Sequence, residues 1–178
     1  MKELLRKNIA TLKPYSSART EFTGTASVYL DANEHYRDFV GMADANRYPD
    51  PRAAVLRRKL EEVLGLPFEH TVLGSGSDEL IDNLIRAVCT PGKDSILILP
   101  PTYGAYKVFA DINDVKVHEV PLLPSFEIDF PALDQFLSKE RNERSEGRLK
   151  LLFLCSPNNP TGNSYSLETI EKILKIFD

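Results

Sequence analysis

The sequence predicts an α/β fold with a mostly parallel sheet flanked by helices. Short apolar runs alternate along the chain with segments of helical spacing, which implies strand–helix–strand crossovers. The runs Ile96–Leu99 and Leu149–Cys155 are almost continuously apolar, as strands covered on both faces are. Composition agrees: of 178 residues, 42% are hydrophobic and 27% charged, which suits a globular chain and excludes wholesale disorder. The net charge of −4 argues against a nucleic-acid partner, which needs a basic stripe.

The elements follow in order. Val28–Leu30 is a short strand candidate. Asp50 and Pro51 suit the N-cap and first position of a helix carrying Leu56, Leu60, Val63 and Leu64, which Gly65 stops. Thr71–Leu73 is a brief strand candidate leading through Gly74, Ser75 and Gly76 into a helix with Leu80, Ile81, Leu84, Ile85 and Val88 on its apolar face. Ile96–Leu99 is a strand and Tyr103–Asn113 a helix. Val115–Val120 alternates as a strand, and Pro131–Lys139 starts a helix with proline. Leu149–Cys155 is the next strand, and Ser166–Phe177 a helix expected to turn Leu167, Ile170, Leu174 and Phe177 inward. Nothing caps that last helix, so it reads either as a natural terminal helix or as one that returns the chain to a further strand. Ser138–Arg148 reads as a helix end and solvated loop.

Several classes of function are set aside. No apolar run approaches the ~18–20 residues of a membrane span, and the first fifteen residues lack the apolar segment of a secretory signal. Cys89 and Cys155 sit beside aliphatic residues and read as reduced, buried thiols of a cytoplasmic protein. His35, His70 and His118 are too scattered for a metal site.

Three strings are candidates for chemistry. Gly74-Ser-Gly-Ser-Asp-Glu79 lies between a strand and a helix, where open amides suit a phosphate; the alternative is a plain cap by Ser75 or Ser77. Pro100-Pro-Thr-Tyr-Gly-Ala-Tyr106 follows a strand at the sheet edge where ligands bind; Tyr103 and Tyr106 either stack on a flat ring or pack under a turn. Ser156-Pro-Asn-Asn-Pro-Thr-Gly162 is a proline-stiffened loop able to hold an amide at a fixed point.

Pro157-Asn-Asn-Pro-Thr-Gly162 resembles the signature loop of the fold-type I pyridoxal-phosphate aminotransferases. Leu30-Asp-Ala-Asn-Glu34, Arg47-Tyr-Pro-Asp-Pro51, Gly74–Glu79 and Pro101–Tyr106 stand in the order seen in histidinol-phosphate aminotransferases, and Lys13-Pro-Tyr-Ser-Ser-Ala-Arg19 also fits that group. The resemblance runs from about Pro14 to Gly162 and would cover the first half of a usual member. It implies an incomplete large cofactor-binding domain over 46–178, after an arm and small-domain segment over 1–45. It also implies a cytoplasmic homodimer that uses pyridoxal 5'-phosphate to exchange amino groups between histidinol phosphate and 2-oxoglutarate in L-histidine biosynthesis.

The resemblance further implies residue roles. Ser77 and Asp78 would hold the cofactor phosphate, Tyr103 would stack on the pyridine ring, and Asn159 would hydrogen-bond the ring's phenolic oxygen. Tyr48 would reach the cofactor phosphate of the neighbouring subunit, and Tyr15 and Asn33 would face substrate. His35-Tyr36 departs from the family's usual Asn-Pro. The lysine that forms the Schiff base, the partner of the pyridine nitrogen and the anion-binding arginines lie beyond the Pro-Thr-Gly loop in the family. No catalytic residue is therefore assigned among these residues, and the chain alone is expected not to transaminate. Lys93 and Lys172 read as surface lysines. Other readings are a noncatalytic fragment or pseudoenzyme that binds a phosphate-bearing ligand or a partner chain, and a related amino-acid-phosphate decarboxylase.

Overall fold

The computed structural model describes residues 4–17, 21, 22, 24, 26–42, 45–142 and 147–177. The chain forms two compact units: Met1–Thr11 with Gly74–Asp178, and Leu12–Leu73. The expected partition at 45/46 concerns a smaller domain of a longer protein; the compact units divide elsewhere.

The larger unit contains α1 (Lys7–Ala10), α3 (Gly76–Val88), β1 (Ser95–Ile98), α4 (Ala105–Ile112), β2 (Lys116–Glu119), α5 (Phe130–Asn142), β3 (Leu149–Phe153) and α6 (Leu167–Phe177). The smaller unit holds α2 (Ala54–Leu64) and a 3₁₀ turn at Phe68–His70. The three strands make a parallel sheet in the order β2-β1-β3, with Ile96 opposite Val117 on one side and Leu151 on the other. The α/β class and parallel sheet expected from the sequence are thus present.

The central strand explains the layers. All four residues of β1 are buried, and alternate side chains leave a strand on opposite faces. Ile96 and Ile98 pack with Ile85 and Val88 of α3 and with Tyr106 and Ala110 of α4. Leu97 and Leu99 pack with Leu133 and Leu137 of α5 and Ile173 of α6. Each fully buried aliphatic side chain contributes ~1.5–3 kcal/mol, so β1 anchors both layers.

Several expected elements differ. Val28–Leu30 and Thr71–Leu73 are not strands; Val28, Leu30 and Val72 are 68%, 93% and 74% exposed. Three-residue runs without a ladder partner have no bonds to hold them extended. The Pro51 helix begins at Ala54, after Ala53 in a left-handed conformation (φ 44°). Asp50 still serves the helix from outside: its carboxylate accepts the Ala54 amide at 2.8 Å and the Arg52 amide at 2.9 Å. Those two bonds, the Ala54 amide's first, hold the Asp50 carboxyl below its ordinary range. On α6 the inward residue is Ile173, while Leu167, Leu174 and Phe177 are exposed. Periodicity identifies apolar stripes but not which of two adjacent stripes meets the sheet. Cys89 is buried and its thiol is pushed up to about 11, chiefly by burial; Cys155 is only half-buried. Lys93 and Lys172 are exposed, as expected. Residues 143–146 of the expected solvated loop, and Ala18 and Arg19, lie outside the described residues.

At the amino edge of the sheet Asp94, 7% exposed, ties three segments together. Its carboxylate accepts the amides of Thr90 at 2.7 Å and Arg148 at 3.0 Å. Burial pushes its carboxyl up, but the amides of Thr90 and Arg148 outweigh it and leave the group below its ordinary value. A lowered folded value means that this stabilisation is present above the unfolded value of ~3.9 and fades as pH falls through the folded value. Replacing Asp94 by Ala should destabilise by about 2–4 kcal/mol at neutral pH. The deficit should begin to shrink below about pH 4, where the unfolded carboxyl takes up its proton, and go on shrinking as pH falls through the lower folded value. Denaturant unfolding of both proteins from pH 3 to 7 measures this; a deficit independent of pH would contradict it.

Candidate active site

The sheet reverses its order of connection between β1 and β3. The chain leaves β1 towards α4 on one face of the sheet, and leaves β3 towards α6 on the other. Neighbouring strands whose onward connections diverge in this way form a switch point, where open α/β sheets bind ligands beyond the strands' carboxyl ends. Both distinctive loops of the sequence, Pro100–Tyr103 and Ser156–Gly162, lie at this end.

Asn158 joins the two loops. It is 4% exposed, and its side chain accepts the Thr102 hydroxyl at 2.9 Å. Its amide nitrogen donates to the Pro101 carbonyl at 2.8 Å and to the Thr161 hydroxyl at 2.7 Å. Both amide hydrogens and the oxygen are thereby used. Its backbone N–H donates to the Asn163 carbonyl at 2.8 Å, and its carbonyl accepts the Gly162 amide at 2.7 Å. Gly162 has φ +77°, a left-handed conformation that a side chain would strain, so the glycine closes this loop. Asn159 is exposed. The adjacent asparagines therefore divide the work: one is spent on the loop and the other is open.

A further bond reaches the start of α3. The Tyr103 hydroxyl donates to Asp78 Oδ1 at 2.9 Å, and this bond, above all, raises the tyrosine above its ordinary pKa. Tyr103 meets Tyr106 edge-on with ring centres 5.5 Å apart, and Tyr106 stacks on Phe153 of β3 at 4.6 Å. Tyr106 is thus the packed tyrosine under the turn, and Tyr103 the more open one. Burial drives the Tyr106 phenol well above its ordinary value. Ser75 stands at the N-cap of α3 but places no side-chain oxygen on the first-turn amides, so the plain-cap reading does not hold for it. Glu79 folds back to accept the Ser75 amide. The path Ser77, Asp78, Tyr103, Thr102, Asn158, Asn159 is continuous through covalent and hydrogen bonds.

The other sequence-derived positions belong to the smaller unit. Tyr15 and Tyr48 line one hollow of about 680 Å³, with Ser17, Asp31, Glu34 and Asp50. Asn33 lies between two of its lining residues, Ala32 and Glu34. Within this unit Glu34 holds the two motifs together: it pairs with Arg47 at 2.7 Å and accepts the Tyr48 amide at 2.9 Å.

Over residues 23–178 the chain matches the family described as aminotransferase class I and II. The chain belongs to that family. It is 47% identical over 178 residues to the histidinol-phosphate aminotransferase of Christiangramia forsetii, covering 99% of this chain and 47% of that protein. It is 48% identical over 174 residues to that of Cytophaga hutchinsonii, covering 98% of this chain and 48% of the relative. The crystal structure of histidinol-phosphate aminotransferase from Sinorhizobium meliloti, in complex with pyridoxal-5'-phosphate, superposes with a TM-score of 0.62. That likeness, at 20% identity over 73% of this chain and 33% of the other, is one of fold. The chain spans about half the length of the curated relatives it matches.

Two residues that organise the loops of this chain, Asn158 and Glu34, were not singled out by sequence. The doubled asparagine between prolines marked the loop, but spacing could not tell which of the pair would be buried. The division predicts unequal costs. Asn158→Ala should destabilise by about 2–4 kcal/mol, while Asn159→Ala should stay within about 0.5 kcal/mol of wild type. Urea unfolding of both variants checks this, and equal losses would contradict it.

Proposed function

We propose that this chain is the amino-terminal half of a pyridoxal-phosphate-dependent transaminase. The full-length protein would exchange amino groups between histidinol phosphate and 2-oxoglutarate, a step of L-histidine biosynthesis, as a cytoplasmic homodimer. The observation that carries the reading is the bonded path from the start of α3 through Tyr103 to Asn158 and Asn159, which gathers three motif loops at one switch point. The names of the relatives that match nearly the whole chain support the substrate. They favour transamination over the decarboxylase reading and over a noncatalytic binder.

The residues present fit the cofactor. The first turn of α3 is left uncapped by Ser75, and such a turn carries about half a positive charge that suits a phosphate. Gly74 is held close beneath it: an added Cβ would lie 2.8 Å from Leu80 Cδ2. Gly76 has φ +80°, so the entry to the helix needs glycine there too.

In this reading the Ser77 and Asp78 amides bind the phosphate, and the Tyr103 ring packs on the pyridine face. Asn159 would donate to the phenolic oxygen and so favour its ionised form. Tyr48 serves the neighbouring subunit's cofactor phosphate, while Tyr15 and Asn33 face substrate. When bound, the cofactor supplies an electron sink that stabilises negative charge developing on the substrate carbon. Asp78 holds Tyr103 by its hydroxyl, which restrains the ring without a covalent tie. Asn158 holds the loop that presents Asn159.

No lysine of the chain is assigned as proton carrier. Lys93 stands in an exposed turn, and the Lys172 ammonium lies 3.6 Å from the centre of the Phe130 ring. The 1–45 segment would belong to the smaller domain of the whole enzyme.

The full-length protein, given histidinol phosphate and 2-oxoglutarate, should produce glutamate, whereas the 178-residue chain should show no turnover. Product analysis with a panel of amino donors measures both. Release of carbon dioxide without glutamate would favour the decarboxylase, and turnover by the short chain would overturn the absence of the proton carrier.

A further inference from the structure

We propose that Glu34 is a positioning residue for Tyr48, setting the backbone from which that tyrosine reaches the phosphate. The inference rests on the reading of Tyr48 given above. It starts from an unusual carboxylate: the Glu34 side chain is only 5% exposed, in a unit where Tyr48 is 63% exposed. A charge removed from water in this way needs partners on both oxygens. One oxygen takes the Arg47 guanidinium at 2.7 Å and the other takes the Tyr48 amide at 2.9 Å.

The neighbouring contacts act in the same sense. Asn46 donates to the His35 carbonyl at 2.7 Å, so the strings 33–35 and 46–48 are joined at successive residues. Arg47 also lies over the Tyr29 ring at 5.3 Å, which fixes its other side. Glu34 accepts the peptide N–H of Tyr48. The phenol is left open while the main chain beneath it is held at a set point. That is how a residue that must meet a ligand at fixed reach is built.

A glutamine cannot replace this carboxylate. At least two donors face Glu34, and an amide offers one acceptor oxygen and one donor nitrogen. The charged Arg47 outcompetes the peptide for the remaining oxygen, which leaves the Tyr48 amide facing a second donor.

The test is a double-mutant cycle in the full-length protein, reading the dissociation constant of pyridoxal phosphate by absorbance titration, with circular dichroism reporting the fold. Tyr48→Phe should weaken binding about tenfold, as loss of a hydrogen bond to a charged group does. Glu34→Gln should weaken it about three- to tenfold, and Glu34→Ala, which removes both contacts, at least as much. The combined Glu34→Gln, Tyr48→Phe protein should bind no worse than the weaker single variant, because both changes break one path. Two results overturn the role of Glu34: losses that multiply towards a hundredfold, or neither Glu34 variant weakening binding while Tyr48→Phe does. If Glu34→Ala fails to fold, the glutamine cycle alone decides. Unaltered binding by Tyr48→Phe overturns the phosphate reading of Tyr48 itself, and the role of Glu34 with it.

Discussion

The burial of β1 on both faces is the constraint from which the rest of the larger unit follows. A strand that reads Ser-Ile-Leu-Ile and exposes nothing must have helices on either side. α3 and α4 cover one face and α5 and α6 the other. Since the chain departs from β1 to one face and from β3 to the other, their ends cannot be filled by a common connection. Ile96 and Ile98 of β1 go to one layer and Leu97 to the other, where Leu99 just beyond the strand joins it. Packing sets the switch point, and hydrogen bonds then tie its loops together.

Those hydrogen bonds are arranged so that the groups left free are the ones able to meet a ligand. Asn158 uses its whole side-chain amide internally, and Asn159 remains exposed beside it. Tyr106 is spent on packing, and Tyr103 stays half-buried with its hydroxyl tethered. Asp78 and Glu79 would oppose an anion at the start of α3 if left to face it. One carboxylate is engaged by Tyr103, however, and the other by the Ser75 amide. In each adjacent pair one member holds and the other is presented.

The fold was legible where one signal dominated. β1 and β3 were readable because continuous apolar runs have few alternatives, α3 because its apolar spacing is strong, and α5 through the proline at its start. Val28–Leu30 and Thr71–Leu73 misled because a strand is a paired object, and three β-prone residues say nothing about a partner. α6 misled in its rotation, since Ile173 and the Leu167–Leu174 stripe are equally apolar. At the site, the loops were legible through their prolines and glycines, which constrain the backbone directly. Asn158 and Glu34 were not, because their importance lies in partners 56 and 13–14 residues away.

The two units are held by different forces, and that difference bears on the smaller one. Every buried apolar side chain among the described residues lies between Ile85 and Ile173, in the larger unit. α2, by contrast, buries none of its residues, and Val55, Leu56, Val63 and Leu64 are open. Within Leu12–Leu73, geometry must therefore come from polar contacts, chiefly the carboxylates of Glu34 and Asp50 on backbone amides. Surface ion pairs contribute ~0–1 kcal/mol, but leaving one buried charge without its partner costs several kcal/mol. Glu34, with its side chain almost fully out of water, belongs to the second kind. The tie that fixes Tyr48 is thus held less by the attraction it supplies than by the cost of breaking it. Where no described apolar residue of the unit is buried, that asymmetry keeps the strings 33–35 and 46–48 together.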